Sequence, residues 1–203
     1  MKMDAAMTKT RIRMPVVLLA MAAMVSGCVS LGKDPPPSLF TLTASASVPA
    51  GHSTNGTSAQ ALVVLQPEAP QRLDVTRVPV QVNDATVAYL KDAMWVEKPA
   101  RLFGRLLAET IRAGQKRMVV EGTDVRFGAA TQLSGQLLEM GYDVPSQSVI
   151  VRYDAVIVQP DGTILTRRFE SEVRGIPAEA SAVAPALNQA ANDVAAQVAQ
   201  WVG

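Results

Sequence analysis

The one side chain whose type and position promise specific chemistry is Cys28, the only cysteine in the chain. It closes a segment of three parts: the basic residues Lys2, Lys9, Arg11 and Arg13, an apolar run from Met14 to Val25, and the small residues Ser26 and Gly27. That order is the pattern of a secretory signal peptide, predicted to span residues 1–27. The apolar run has twelve residues. Crossing about 30 Å of hydrocarbon takes roughly 20, so the run is too short for a permanent span.

Val25, Ser26, Gly27 and Cys28 together resemble the lipobox of bacterial lipoproteins, in which the thiol receives lipid and the chain is cut just before it. The chemistry expected at Cys28 is therefore covalent lipid attachment, with no other cofactor. One acyl chain holds a protein only marginally, at about 0.8 kcal/mol per buried methylene, whereas the two or three chains usual in such proteins anchor it stably. Spending the sole thiol this way leaves none for a disulfide, a metal or a nucleophile. The lone histidine, His52, falls in a stretch of Ala, Ser, Thr, Gly, Pro and Asn. It is expected in a solvated loop, outside any catalytic or metal site.

Removing residues 1–27 takes away four basic residues and one acidic one, which moves the formal charge from +1 to −2. A chain so close to neutral carries no nucleic-acid footprint. No phosphate-binding loop, metal-ligand cluster or Gly-x-Ser-x-Gly elbow appears, and the carboxylates form no recognisable constellation. A non-enzymatic role is expected.

The elements that would carry the anchor follow from composition and period. Residues 28–38, with Pro35-Pro36-Pro37, read as an extended tether that reaches at most roughly 35 Å. Residues 39–203 form the expected domain, with a short strand at Leu39–Leu42 and a flexible loop over 43–60. Ala61–Leu65 reads as a central strand. The run to Val82, with Val78, Val80 and Val82 alternating and Pro79 pointing outward, reads as an edge strand able to accept a partner's strand. Strands are also expected from Thr86 to Val96, at Met118–Val120 and from Thr131 to Tyr142. Pro99 opens a helix that stops at Gly114, and a second helix runs from Glu179 to Trp201. Pro160-Asp161-Gly162 fits a three-residue hairpin loop. Pairing Gln159 with Thr163 then sets Tyr153 opposite Phe169, Val149 opposite Val173 and Ile157 opposite Leu165. The same register sets Asp154 opposite Arg168 and Arg152 opposite Glu170, so apolar pairs share one face and charge pairs the other. The expected class is α+β, an antiparallel or mixed sheet with two helices packed on one face.

Four segments in this order, Cys28–Leu42 (CVSLGKDPPPSLFTL), Ala61–Pro67 (ALVVLQP), Arg77–Val82 (RVPVQV) and Tyr89–Phe103 (YLKDAMWVEKPARLF), resemble the ABC-type transport auxiliary lipoproteins, PqiC-like partners of MCE lipid transporters. The resemblance implies a non-catalytic, periplasm-facing subunit. It would work with an MCE-domain protein, an ABC permease and an ATPase to move phospholipid or another hydrophobic substrate between the inner and outer membranes. Val29 stands where inner-membrane lipoproteins of enteric bacteria carry Asp, which implies an outer-membrane anchor. The alternative is a structural lipoprotein of outer-membrane assembly. Trp95, just ahead of the first helix, is a candidate partner contact, and its other reading is a ring packed beneath that helix.

Overall fold

The structure is a computed structural model, which describes residues 38–114, 117–122 and 130–203. In chain order these form β1 (Leu62–Val64), β2 (Arg77–Asn83), β3 (Thr86–Met94), α1 (Pro99–Ala113), β4 (Val119–Glu121), β5 (Thr131–Asp143), β6 (Ser148–Val158), β7 (Ile164–Arg174) and α2 (Ala180–Val202). The described strands make one mixed sheet with both helices on one face, the expected α+β class.

β5 is the spine of the sheet. Along one edge it pairs antiparallel with β6, from Gln132 opposite Val158 to Asp143 opposite Ser148. Its other edge is shared. Thr131–Leu133 pair parallel with β1, and Tyr142–Asp143 pair parallel with β2. Between these two contacts Glu68 bridges Gln136, so the chain from Leu62 to Gln81 follows β5 along its length. β4 adds to β1, β3 to β2 and β7 to β6.

The hairpin matches its predicted register over eleven consecutive pairs, Tyr153–Phe169 and Asp154–Arg168 among them. Gly162 takes the left-handed conformation that closes the loop (φ 87°), and the Thr163 amide donates to Asp161 Oδ1 at 2.8 Å. The apolar face is buried at Val149, Tyr153 and Phe169. Leu165 remains 41% exposed near the hairpin tip.

α1 starts at Pro99, where a missing amide proton breaks no intrahelical bond, and stops at Gly114 as expected. Its apolar stripe buries Leu102, Phe103, Leu106, Leu107 and Ile111, and Phe103 meets Tyr153 of β6 edge-on at 5.2 Å. Gly104 lets α1 approach the chain after β1, since a Cβ there would lie 2.9 Å from Pro67. α2 presents Val183, Leu187, Ala190, Ala191, Val194 and Val198 to the same core, and Trp201 stacks edge-on against Phe169 at 5.5 Å. The small side chains bring this helix close to the sheet.

The Tyr153 hydroxyl donates to the Ser134 carbonyl at 2.9 Å, and burial pushes the phenol above its ordinary value, so it stays a neutral donor. Tyr153→Phe removes that hydrogen bond and is expected to cost about 1 kcal/mol. Urea denaturation should show a lower midpoint at unchanged slope.

Two strand expectations need correction. β2 is interior, because β3 closes the edge that was expected to lie open. Pro79 fits there because it stands just ahead of the ladder to β5, which begins at Val80, and beside a register shift toward β3. Its ring points at Gly141, where the absent Cβ makes room. The expected strand at Leu39–Leu42 is reduced to a single parallel bridge between Phe40 and Trp95.

Candidate functional site

Cys28, with Val25, Ser26 and Gly27, lies outside the described residues, as does the tether up to Pro37. The place where that tether meets the domain is described, and it is built around Phe40. Its amide donates to the Met94 carbonyl at 2.7 Å, and its carbonyl accepts from Val96 at 2.9 Å. Its ring, 7% exposed, meets Trp95 edge-on at 5.5 Å.

Trp95 is 1% exposed, and its indole N–H has no partner among the described residues. It packs against Phe40 inside the core that both helices share. Val78 and Val80, at 0% and 8%, belong to the same core, whereas Val82 is 37% exposed at the end of β2. Trp95, Val78 and Val80, read from the sequence as candidate partner contacts, are core side chains in this fold. The outer strands of the described sheet are β3, β4 and β7.

The segment after Phe40 forms no strand, but its first half is held by side chains. The Thr43 amide donates to Asn188 Oδ1 at 2.8 Å, and the Ser45 amide to Asn192 Oδ1 at 2.7 Å. Asn192 Nδ2 donates back to the Thr43 carbonyl at 2.9 Å. The Val48 amide donates to Glu109 Oε1 at 2.9 Å, and Glu109 is fixed in turn by Arg112 at 2.7 Å. Asn188 and Asn192 were legible only as polar positions one helical turn apart. Asn192 is in fact 8% exposed, with its amide used as a strand-like partner for the backbone.

A groove of about 520 Å³ separates the entrance segment from the start of α2, walled by Leu39, Thr41, Asp92, Ala184, Pro185 and Asn188. Asp92 reaches it from an irregular stretch of β3. There the register slips between Arg77 and Pro79 of β2, and Asp92 takes a left-handed backbone (φ 54°) that is uncommon for a residue with a side chain.

The sheet face away from the helices carries the predicted charge pairs. Arg168 grips Asp154 with two bonds of 2.6 and 2.7 Å. Arg152 binds Glu170 and also reaches Glu139 at 2.8 Å, and Arg72 stands 3.6 Å from Glu139. The hydrogen bond from Arg168 holds the Asp154 carboxyl below the ordinary aspartate value of 3.8. A carboxylate depressed in this way stabilises the folded state above its unfolded pKa, and the contribution is lost as pH falls through the lower folded value. The pair is exposed, so the effect on stability is small. By NMR titration the Asp154 midpoint should lie below 3.8 and rise in Arg168→Gln; a wild-type midpoint at or above 3.8 would refute the pairing.

Among the described residues no group of three or more His, Cys, Asp or Glu could hold a metal ion, and no helix is long and apolar enough to cross a membrane. What the arrangement does provide is a buried attachment point at Phe40, where the first described residues join the sheet.

Solved structures share this fold. Protein XCC0632 of Xanthomonas campestris, of family DUF330, is 17% identical, with a TM-score of 0.66 over 81% of this chain and 94% of that one. A crystal structure of an uncharacterized protein is 14% identical, with a TM-score of 0.62 over 73% and 95%. No curated protein matches the chain. The model of the ABC-type transport auxiliary lipoprotein component family matches residues 40–199, which begin at the Phe40 junction and end inside α2. The chain belongs to the ABC-type transport auxiliary lipoprotein component family.

Proposed function

We propose that this protein is the periplasm-facing lipoprotein subunit of an MCE-type ABC system, held on the outer membrane by lipid on Cys28. In that role it assists the movement of phospholipid or another hydrophobic substrate between the two membranes. Family membership makes it a transport-associated lipoprotein with an auxiliary rather than a catalytic role, and the family match over residues 40–199 is the observation that carries the reading. The lipobox-like segment and Val29 support the anchor and its membrane, and the MCE protein, permease and ATPase are the partners the resemblance implies. A short tether ending on a rigid domain suits such a part, because a module held near one membrane meets its partner at high effective concentration.

Affinity purification from detergent-solubilised membranes tests this. An MCE-domain protein, a permease and an ATPase should co-purify. Their consistent absence would refute the reading, and crosslinks mainly to β-barrel proteins would favour a role in outer-membrane assembly instead.

A further inference from the structure

We infer that residues 38–48 form a releasable strap whose detachment lengthens the tether. The reach it provides rests on the reading of Cys28 as the anchor; the release itself does not. A pull from the membrane arrives at Ser38 and meets Phe40 first. Phe40 is the only large side chain of the strap that is buried, and it has a backbone bond on each side. Behind it the strap is lightly held. Leu42, Ala44 and Val48 are half-buried, while Thr43, Ser45, Ala46 and Ser47 are exposed.

Three backbone amides, those of Thr43, Ser45 and Val48, bond to side chains of Asn188, Asn192 and Glu109 rather than to a strand. A groove of about 520 Å³ runs between Leu39 and Thr41, both exposed, and the start of α2. Phe40 is thus a latch at the loaded end, and behind it the chain is held by partial packing of Leu42 and Ala44 on the core and by these three bonds.

The gain in length is large. With the latch closed, the ten residue steps from Cys28 to Ser38 reach at most about 35 Å at roughly 3.5 Å per residue. Residues 49–57 are exposed, so release through Val48 frees the chain as far as Thr57. The limit then becomes about 100 Å. Release uncovers Trp95, on which the Phe40 ring packs, but leaves the strand ladders in place, because β1 and the rest of the sheet start beyond the strap.

Hydrogen exchange on the full chain tests the release. The amides of Thr43, Ser45 and Val48 should exchange together, at least about tenfold faster than those of β6. Phe40→Ala should raise their rate a further tenfold or more and leave β6 unchanged. Asn188→Ala, a change at the surface, serves if Phe40→Ala fails to fold. Strap amides that exchange only as fast as β6, or variants that accelerate β6 equally, would overturn the strap. The reach is read from the distance between a vesicle surface and a dye at the C-terminus of the lipidated protein. Phe40→Ala should populate distances beyond those of the wild type, and unchanged distances with accelerated exchange would overturn the lengthening. A protein that does not attach to vesicles at all would refute the Cys28 anchor, and exchange alone would then decide the strap.

Discussion

Gly135→Ala is expected to destabilise the domain by about 4 kcal/mol and to lower its Tm by on the order of 10 °C. Gly135 lies in the middle of β5, opposite Ala155 of β6. A Cβ at this position would sit 2.1 Å from the Asp154 carbonyl oxygen, 2.7 Å from Tyr153 Oη and 2.8 Å from Tyr153 Cζ. Neither neighbour can yield cheaply. One is the backbone of β6, a strand paired on both edges, and the other is a fully buried ring packed against Phe103. Overpacking of this kind is relieved only by moving the strand.

Removing the hydroxyl with Tyr153→Phe in the same chain should recover only part of the loss, because the carbonyl contact remains. Thermal and urea denaturation of the single and double variants would measure the coupling. A Tm within about 2 °C of the wild type for Gly135→Ala would mean that β6 does not cross β5 at this point. Gly141→Ala should act in the same direction, with its Cβ 2.4 Å from the Pro79 carbonyl oxygen.

The second large effect is on location rather than stability. Cys28→Ala is expected to abolish fatty-acid incorporation and to leave the domain's Tm unchanged within about 1 °C. The expectation follows from the size of the anchor. At about 0.8 kcal/mol per buried methylene, the loss of two or more acyl chains removes stable membrane attachment. The domain should be indifferent because Cys28 lies well ahead of Phe40, the first described residue of the core. Metabolic labelling with a fatty acid, followed by denaturation of the domain, checks both halves. Labelling that persists in the variant would end the assignment of Cys28, and a fallen Tm would show that the segment around it contributes to the fold.

Local features of this molecule were readable from its residues, and non-local ones were not. The β6–β7 register followed from one turn and from alternating side chains on either side of it. The bounds of α1 followed from a proline at its start and a glycine at its end. The place of β2 did not follow, because alternating valines report burial of one face and say nothing of which strands lie alongside. Pro79 then suggested an edge, a sound rule that failed here because the proline sits just ahead of a ladder. Composition marked residues 43–60 as a flexible loop. It could not show that Thr43 and Ser45 are held by asparagines 145 and 147 positions away. For the functional site the pattern was similar. The expectation at Cys28 rests on adjacent residues alone, while the burial of Trp95 depends on Phe40, which comes from far upstream.

The divided edge of β5 also bears on how the chain is made. β5, β6 and β7 are successive, so they can pair as soon as each appears. β1 and β2, by contrast, find their places only against a strand some sixty residues later. Closing contacts over such separations is the slow part of folding. A chain threaded through a membrane from its N-terminus delivers β1 and β2 well before the strand that receives them. Leu62, Val63 and Val64, all buried at the end, therefore pass through a period with nothing to cover them. If the chain is exported as proposed, β1 is where it is most open to aggregation on the way, and a holdase would have its greatest effect there.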